Sequence, residues 1–586
     1  MKEKDDIDHK RKNASSLGGA ISENIIEAFA LENALEHGGN ANIGSVMGKV
    51  MRFSKEDGIN INPRDTTSIV TQVVHDVNTM TTSEQKERSQ HIGGPIELNK
   101  RERREGLPEL ENAEMEKVVM RFAPGPSGPL HIGHTRAAVL NDIYCKRYHG
   151  KFILRIEDTN PEKIDPEAYD MIPEDLDWLR VAVSNTYIQS DRFEVYYDIA
   201  RQLIEKDQAY ICTMNSEKWR QLKSESRPCP ERDLPRNYHL EGWEKMLDGT
   251  FAPEEASLVI KTDLGHKNPA VRDFVGMRIN ETLHPRTGDR YRVYPLYNLS
   301  VAIDDHLMGC THILRGKDHL NNTFRQKYVY KHLDWELPKF IHYGLVSIRD
   351  TFLKTSLIRE EIGKGTYSGW NDIRIGTLRA LSTRGIQAEA LRNYWNEVGM
   401  KSVDITFSWD NLYAMNKEII EKDARRYFFV PGPKRITLEG VDRLEAEIPL
   451  YPDEPDRGTR KFEIEAHNGA IELIVPEEEL IDLDPGETIR LKGLCNIKVT
   501  DPVNGKCKFI GQDISNIRRG KNRIIQWLPV DAEPCRILLP DGTVVNGMAE
   551  KDVLKEAEKG SIIQFERVGF FKLYLMDVVV GRFTHK

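Results

Sequence analysis

Nothing in this chain is apolar for close to the roughly 18 residues that a membrane-spanning helix needs, and its first residues, MKEKDDIDHKRKN, are charged with no apolar segment behind them. Neither a membrane helix nor a signal peptide is expected. Cysteine is scarce. The seven present (Cys145, Cys212, Cys229, Cys310, Cys495, Cys507 and Cys535) form no CxxC pair and are odd in number, which excludes a disulfide scaffold and fits free thiols in a reducing, cytoplasmic compartment. An excess of positive charge is missing too: 83 Lys and Arg against 92 Asp and Glu leave a net charge of −9. That excludes a protein that coats nucleic acid through overall charge, and leaves room for local basic grooves. Internal repeats and biased low-complexity tracts are also lacking. What is there is a chain of 586 residues, 39% of them hydrophobic, enough for roughly three to five domains with ordinary cores.

Residues 1–110 contain periodic apolar stretches, IIEAFALENALEHG and SIVTQVVHDVNTM, between turn-like ones and before the charged NKRERREGLPELENAEMEK. The spacing predicts a small helical region and a linker. In residues 111–203, VVMRF reads as a strand, APGPSGP as a loop, HTRAAVLNDIYCKRYHG as a helix and KFILRIED as the next strand. Strand, glycine-rich loop, helix, strand opens a doubly wound nucleotide-binding fold, whose ligand sits at strand ends and helix N-termini. Residues 293–350 would supply its second half, with strands over 297–305 and 312–315. Between the halves, 204–292 is rich in Pro, Lys and Glu and reads as an insertion. Residues 351–425 carry the helical patterns LRALSTRGI and AEALRNYWNEVG, and 426–586 shows short apolar strands between Gly, Pro and Asp turns, the texture of β-barrels. The expected fold class is multidomain α/β plus β.

The candidate chemistry concentrates in RFAPGPSGPLHIGH, residues 121–134. Its three glycines let backbone approach a ligand closely, and His131 and His134, three apart, can face one side of a first helical turn. Two imidazole donors beside a helix N-terminus can bind the phosphates of ATP and stabilise charge as pyrophosphate departs, with no covalent nucleophile. For the HxGH string alone, a helix-capping turn with two ordinary histidines is the bland alternative. The whole stretch, however, resembles the ATP signature of class I aminoacyl-tRNA synthetases in its glutamyl wording. LRIEDTNPEKIDPEAYDMIPEDLDWL, PLYNLSVAIDDHLMGCTHILRGKDHLNNTFRQ, PLYPDEPDRGTRK, IIQWLPV and QFERVGF extend the similarity to archaeal-type glutamyl-tRNA synthetases along nearly the whole chain. LRIEDTN and the APGPSG loop favour the glutamyl over the glutaminyl branch.

The resemblance implies an ATP-dependent ligase that joins L-glutamate to tRNA(Glu), with tRNA(Gln) an open second substrate, Mg²⁺ arriving with ATP, and a monomer. It implies a Rossmann-type catalytic body, an insertion that grips the tRNA acceptor end, barrels that read the anticodon and a tRNA-associated N-terminal region. By the same resemblance His131, His134 and Lys354 are catalytic, while Ala123, Pro124, Gly125, Gly133, Asp318, His319 and Ser356 bind ATP. Arg121, Glu157, Tyr297 and Arg315 line the amino-acid pocket, with Arg315 the candidate for the side-chain carboxylate. Glutamine is nearly isosteric with glutamate, so selectivity has to come from charge. Asp304 and Asp305 read as architectural.

Two places depart from the family pattern. In FLKTSLIREE, residues 352–361, Lys354 stands where a serine is usual and Leu357 where a lysine of the second, KMSKS-type signature is usual. Losing one preorganised cation costs ~3 kcal/mol, or ~100-fold in rate, unless Lys354 or Arg359 reaches the phosphates. Cys212 and Cys229 fall where several relatives carry a zinc-binding CxC and CxH, but Met214 and Glu231 occupy the other two positions. Thioether is a poor zinc ligand, so no bound zinc is expected. For tRNA, NIRRGKNRIIQW places Arg518, Arg519, Lys521 and Arg523 beside an aromatic, a pattern suited to phosphate contact and base stacking. The rival readings are a glutaminyl or non-discriminating synthetase and a catalytically weak tRNA-binding paralogue.

Overall fold

The computed structural model describes residues 21–56, 59, 61–92, 106–349, 351–514 and 522–586. The chain forms two compact units, Met1–Glu105 and Gly106–Lys586. In the first, helices α1 (Glu23–Glu36), α2 (Ile43–Glu56), α3 (Pro63–Thr79) and α4 (Thr82–His91) bury Ile26, Phe29, Val46, Val50, Val70 and Val74 together. A capping box starts α4: the Thr81 hydroxyl accepts from Glu84 N–H, and the Glu84 carboxylate accepts from Thr81 N–H. That satisfies two amide donors no helical carbonyl can reach.

In the second unit β1 (Val119–Phe122), α5 (Ile132–Arg147), β2 (Lys151–Ile156), α6 (Ala168–Trp178) and β3 (Asn185–Ile188) follow one another. The three strands pair in parallel in the order β1-β2-β3. Beyond them α7 (Phe193–Glu205) leads into an antiparallel four-stranded sheet, β4 (Ala209–Cys212), β5 (Ser257–Ile260), β6 (Phe274–Ile279) and β7 (Val293–Pro295). One face of this sheet carries a small cluster of Tyr210, Cys212, Cys229 and Val259, and the other shares its core with the catalytic body. Leu203 and Ile204 of α7, Leu258 and Met277 of the sheet, Leu299 and Ile303 of α10 (Tyr297–Leu307) and Val329 share one apolar cluster. Helices α8 (Ser216–Ser224) and α9 (Arg236–Leu247) lie between β4 and β5.

Residues 297–305, expected as a strand, lie in the eleven-residue helix α10. Its run from Leu299 to Asp305 is buried without a break, and a short segment buried on all sides shows no periodicity by which helix and strand can be told apart. The strand over 312–315 is present as β8 (His312–Gly316), followed by α11 (Leu320–His332) and β9 (Lys339–Tyr343), which pairs in parallel with β8. Thr311 N–H donates to the Val119 carbonyl at 2.9 Å, and Val119 N–H to Thr311 Oγ1 at 3.0 Å, so the β8 ladder meets the β1 ladder at one seam.

Helices α12 (Thr355–Gly363), α13 (Leu378–Arg384), α14 (Ala388–Val398) and α15 (Trp409–Ile420) come next. Leu381, Leu391 and Trp395 pack into the same core as Met120, Leu140 and Leu154, which fixes this region against the first three strands. The C-terminal part holds two seven-stranded, barrel-like sheets, one built from 425–431 with 533–585 and the other from 433–529. Trp527, expected as a stacking platform beside the basic cluster, is instead fully buried against Phe428 and Phe462, with Nε1 donating to the Lys492 carbonyl. The core of the sheet outcompetes the surface for so large an apolar ring. Among the described residues no helix is long and apolar enough to cross a membrane.

Candidate active site

The first signature joins the C-terminal end of β1 to the N-terminus of α5. Glu157 N–H donates to the Pro124 carbonyl at 2.9 Å, which lays the Ala123–Gly125 loop against the end of β2. His131 is the N-cap of α5. Its Nδ1 accepts from Gly133 N–H at 3.1 Å, and His134 Nδ1 accepts from His131 N–H at 3.2 Å. A Cβ on Gly133 would lie 2.9 Å from the His131 ring, so only glycine admits this cap. Because each Nδ1 is an acceptor, each ring keeps its proton on Nε2. The rings stack with centroids 3.8 Å apart and present two neutral N–H donors side by side. Burial holds His131 near a pKa of about 4, and burial together with the neighbouring ring holds His134 well below its ordinary value. The two imidazoles therefore offer an anion oriented dipoles beside a helix N-terminus, not fixed cations.

Below this loop lies a buried charge network that the sequence pattern only hinted at. Asp305 takes both Arg121 (Nε at 2.9 Å, Nη2 at 3.3 Å) and Arg155 (Nη1 at 2.7 Å). Arg155, fully buried near the C-terminal end of β2, also donates to Glu157 at 2.9 Å. Asp304 accepts from Gln189, Arg192 and the Tyr196 hydroxyl. Asp305 thus anchors two guanidinium groups, and Asp304 anchors a guanidinium, an amide and a phenol. Burial raises the Glu157 carboxyl while Arg155 opposes that rise. Arg155 could have been found as the single charge inside the apolar run FILRI.

Arg315, at the end of β8, is buried and has no carboxylate partner among the described residues. Its Nη1 lies 3.4 Å from the Tyr297 hydroxyl, its Nη2 donates to Thr323 Oγ1 at 2.6 Å and Gln326 Oε1 at 2.7 Å, and its Nε is buried with no acceptor. Burial depresses its pKa. Tyr297 Oη also lies 3.1 Å from His319 Nδ1, which Asn322 Nδ2 approaches at 3.1 Å. Asp318 is exposed beside His319. Thr323 and Gln326 were not singled out from sequence; three apart on α11, they sit on its buried side.

The second signature is stitched to the first. Arg359 Nη2 donates to the Ser127 carbonyl and to Asp165 Oδ2, each at 2.7 Å, and Thr355 Oγ1 lies 3.2 Å from Ser127 Oγ. Ile132 N–H donates to the Gly376 carbonyl and Leu378 N–H to the Leu130 carbonyl. Gly128 has a φ of +143° and a Cβ there would come 3.3 Å from Trp370, so the loop needs glycine at this crossing. Arg359 is thus occupied. Lys354, the N-cap of α12, is exposed and makes no ion pair with any described residue, and Ser356 and Leu357 are exposed beside it.

In the insertion, Cys212 Sγ and Cys229 Sγ are 3.5 Å apart, and the Cys229 thiol donates to Glu231 Oε2 at 3.1 Å. Among the described residues these three form the one cluster with metal-ligand reach. The hydrogen bond with Cys229, then burial, pushes the Cys212 thiol far up. Met214 packs against the same cluster. Arg518, Arg519 and Lys521 lie outside the described residues. Arg523 is exposed at the edge of a short strand, its carbonyl accepting from Arg490 N–H.

Comparison with known proteins agrees along the chain. The profile of the catalytic domain of class I tRNA synthetases (E and Q) matches residues 117–422. Two profiles of the anticodon-binding domain of the same enzymes match 424–511 and 524–574. A glutamate–tRNA ligase of Methanocaldococcus jannaschii is 46% identical over 558 residues, covering 95% of this chain and 98% of that one. Those of Methanopyrus kandleri (44% over 555 residues, 94% and 96% covered) and Methanocorpusculum labreanum (43% over 577 residues, 97% and 100% covered) are similarly close. With its catalytic profile spanning more than half its length and its relatives matched almost end to end, the chain belongs to the class I tRNA synthetases of the E and Q family.

Proposed function

We propose that the chain activates L-glutamate with ATP to glutamyl-adenylate and transfers the glutamyl group to the terminal adenosine of tRNA(Glu). The observation that carries the amino-acid choice is Arg315, a buried guanidinium held only by neutral side chains. A buried cation without an anion is strongly penalised. A substrate γ-carboxylate relieves that penalty, whereas the neutral amide of glutamine does not. Arg121 and Arg155 are already neutralised by Asp305 and Glu157, so they add orientation more than unspent charge. Glu157 and Tyr297 take the substrate's ammonium side of the pocket.

In the first step the glutamate α-carboxylate attacks the α-phosphorus in line and pyrophosphate leaves. His131 and His134 donate from Nε2 to phosphate oxygens, and Lys354 approaches from the second signature. Mg²⁺ enters on the phosphate oxygens of ATP. In the second step the ribose 2'-hydroxyl of the terminal adenosine attacks the carbonyl carbon of the adenylate and AMP departs. Catalysis is positioning plus charge neutralisation. The insertion and the barrels are the surfaces for the acceptor end and the anticodon, and Cys212, Cys229 and Glu231 stand as a protein-protein hydrogen-bond cluster without zinc.

The test is charging of purified tRNA(Glu) and tRNA(Gln) with radiolabelled glutamate and glutamine in parallel. Glutamate on tRNA(Glu) is the expected product. Glutamine charging would make the chain a glutaminyl enzyme, glutamate on both tRNAs a non-discriminating one, and tight tRNA binding without charging an inactive paralogue.

A further inference from the structure

Buried arginines in this chain that lack a carboxylate are otherwise tied to main-chain carbonyls: Arg136 donates to those of Gly344 and Gly399, and Arg384 to those of Phe583 and Thr584. Among the described residues Arg315 has no main-chain acceptor. All three of its hydrogen-bonding partners are side chains, and two of them, Thr323 and Gln326, share Nη2. Gln326 is 1% exposed, and its own Nε2 is buried with no acceptor among the described residues. Leaving that donor unmet is costly, so packing alone would favour an apolar residue at this place. Glutamate at 326 would have almost the same shape and would cancel the charge of Arg315.

We propose that Gln326, supported by Thr323, is a positioning and selectivity residue: it orients the Arg315 guanidinium with a neutral acceptor and so leaves its charge for the γ-carboxylate of the amino-acid substrate. The proposal rests on the assignment of Arg315 made above. His342 completes the arrangement, with Nε2 2.9 Å from Thr323 Oγ1. Burial, aided by Arg315, holds its pKa at about 4, so it adds no charge to the pocket at neutral pH. The charges in reach of the substrate side chain then reduce to one unspent cation, because Arg121 is matched by Asp305 and Glu157 by Arg155. Selectivity for a carboxylate over an amide follows from that balance.

The experiment is steady-state charging of tRNA(Glu) by the full chain and by Q326E, Q326M and R315M, measuring KM and kcat for glutamate and for glutamine. Q326E is expected to raise the glutamate KM about 30-fold or more with kcat nearly unchanged, and to lower the glutamate-over-glutamine ratio of kcat/KM at least about tenfold. Q326M, which removes the acceptor without adding charge, is expected to raise the glutamate KM about threefold to tenfold while the ratio survives. A wild-type ratio in Q326E, or a wild-type glutamate KM in Q326M should Q326E not fold, overturns the proposal. R315M separates the levels: a raised KM there with wild-type behaviour at Gln326 sinks this inference alone, whereas an unchanged KM in R315M sinks the assignment of Arg315 as well.

Discussion

Arg359 and Lys354 both stand near the displaced second signature, and the structure gives them different work. Arg359 is a tether: its Nη2 bridges Asp165 and the Ser127 carbonyl, with 43% of its side chain exposed and 12% of that of Asp165. A half-exposed ion pair contributes about 0.2–1 kcal/mol and a hydrogen bond to a carbonyl about another 1 kcal/mol. R359M therefore loosens the contact between the two signatures by ~1–2 kcal/mol, which is about 5- to 30-fold in the equilibrium between joined and parted states. With the joined state the active one, turnover falls by at most that factor. Lys354 is exposed with no ion pair among the described residues. On the proposal that Lys354 neutralises the triphosphate, its loss in K354M costs ~3 kcal/mol, or ~100-fold. The assay is ATP–pyrophosphate exchange in the presence of tRNA, with thermal unfolding as a control for folding. A loss of 100-fold or more in R359M together with normal turnover in K354M would reverse the two roles and refute the reasoning.

Replacing Asp305 by Asn leaves two buried guanidiniums, Arg121 and Arg155, sharing one neutral acceptor; it should destabilise the catalytic unit by ~3–5 kcal/mol, seen as a lower unfolding midpoint, and raise the glutamate KM. His131 and His342 have folded-state pKa values of about 4, below the ordinary unfolded value, so the unfolded chain binds more protons between pH 6.5 and 4. The stability gained from keeping them neutral is complete above pH 6.5 and is lost as pH falls toward 4. Thermal midpoints measured from pH 7.5 to 4.5 should therefore fall less steeply in H342Q than in the parent; equal slopes count against it. Prolonged chelation should leave charging activity and unfolding unchanged once Mg²⁺ is restored, with elemental analysis finding well under one zinc per chain. One tightly held zinc per chain would show that Glu231 and Met214 complete a site after all.

Local pattern was a good guide where one face of an element meets water. The amphipathic AEALRNYWNEVG lies where the spacing puts it, as α14, whereas VVMRF and the helix after HIGH, β1 and α5, are largely buried and were marked by the glycine-rich loop between them. Pattern failed where burial is complete. In α10 every residue from Leu299 to Asp305 is buried, so no polar face marks the helical period. Trp527 misled for the opposite reason: basic residues stand a few positions before it, but it lies in the wholly buried link between two short strands, Ile524–Ile525 and Leu528–Pro529, and packs onto Phe428 and Phe462. The insertion looked separable because its composition changes, yet Leu203, Met277 and Leu299 close one core across its boundary, a contact between residues far apart in sequence that no local window contains.

The candidate residues were legible as identities, and their electrostatics were not. Arg121, Glu157, Tyr297 and Arg315 could be named from their motifs, but a motif does not say which charges are already spent. Arg121 and Arg315 look equivalent as sequence, two arginines near strand ends; Asp305 lies 2.9 Å from the first, and only neutral oxygens surround the second. The same holds for HIGH. Sequence offered two imidazole donors of unstated charge; the Nδ1 hydrogen bonds and the burial of both rings make them neutral donors of fixed tautomer. A pocket whose acids and bases are paired internally down to one guanidinium discriminates by what the substrate must supply. That is why the neutral residue at position 326 bears on specificity as directly as the charged one it touches.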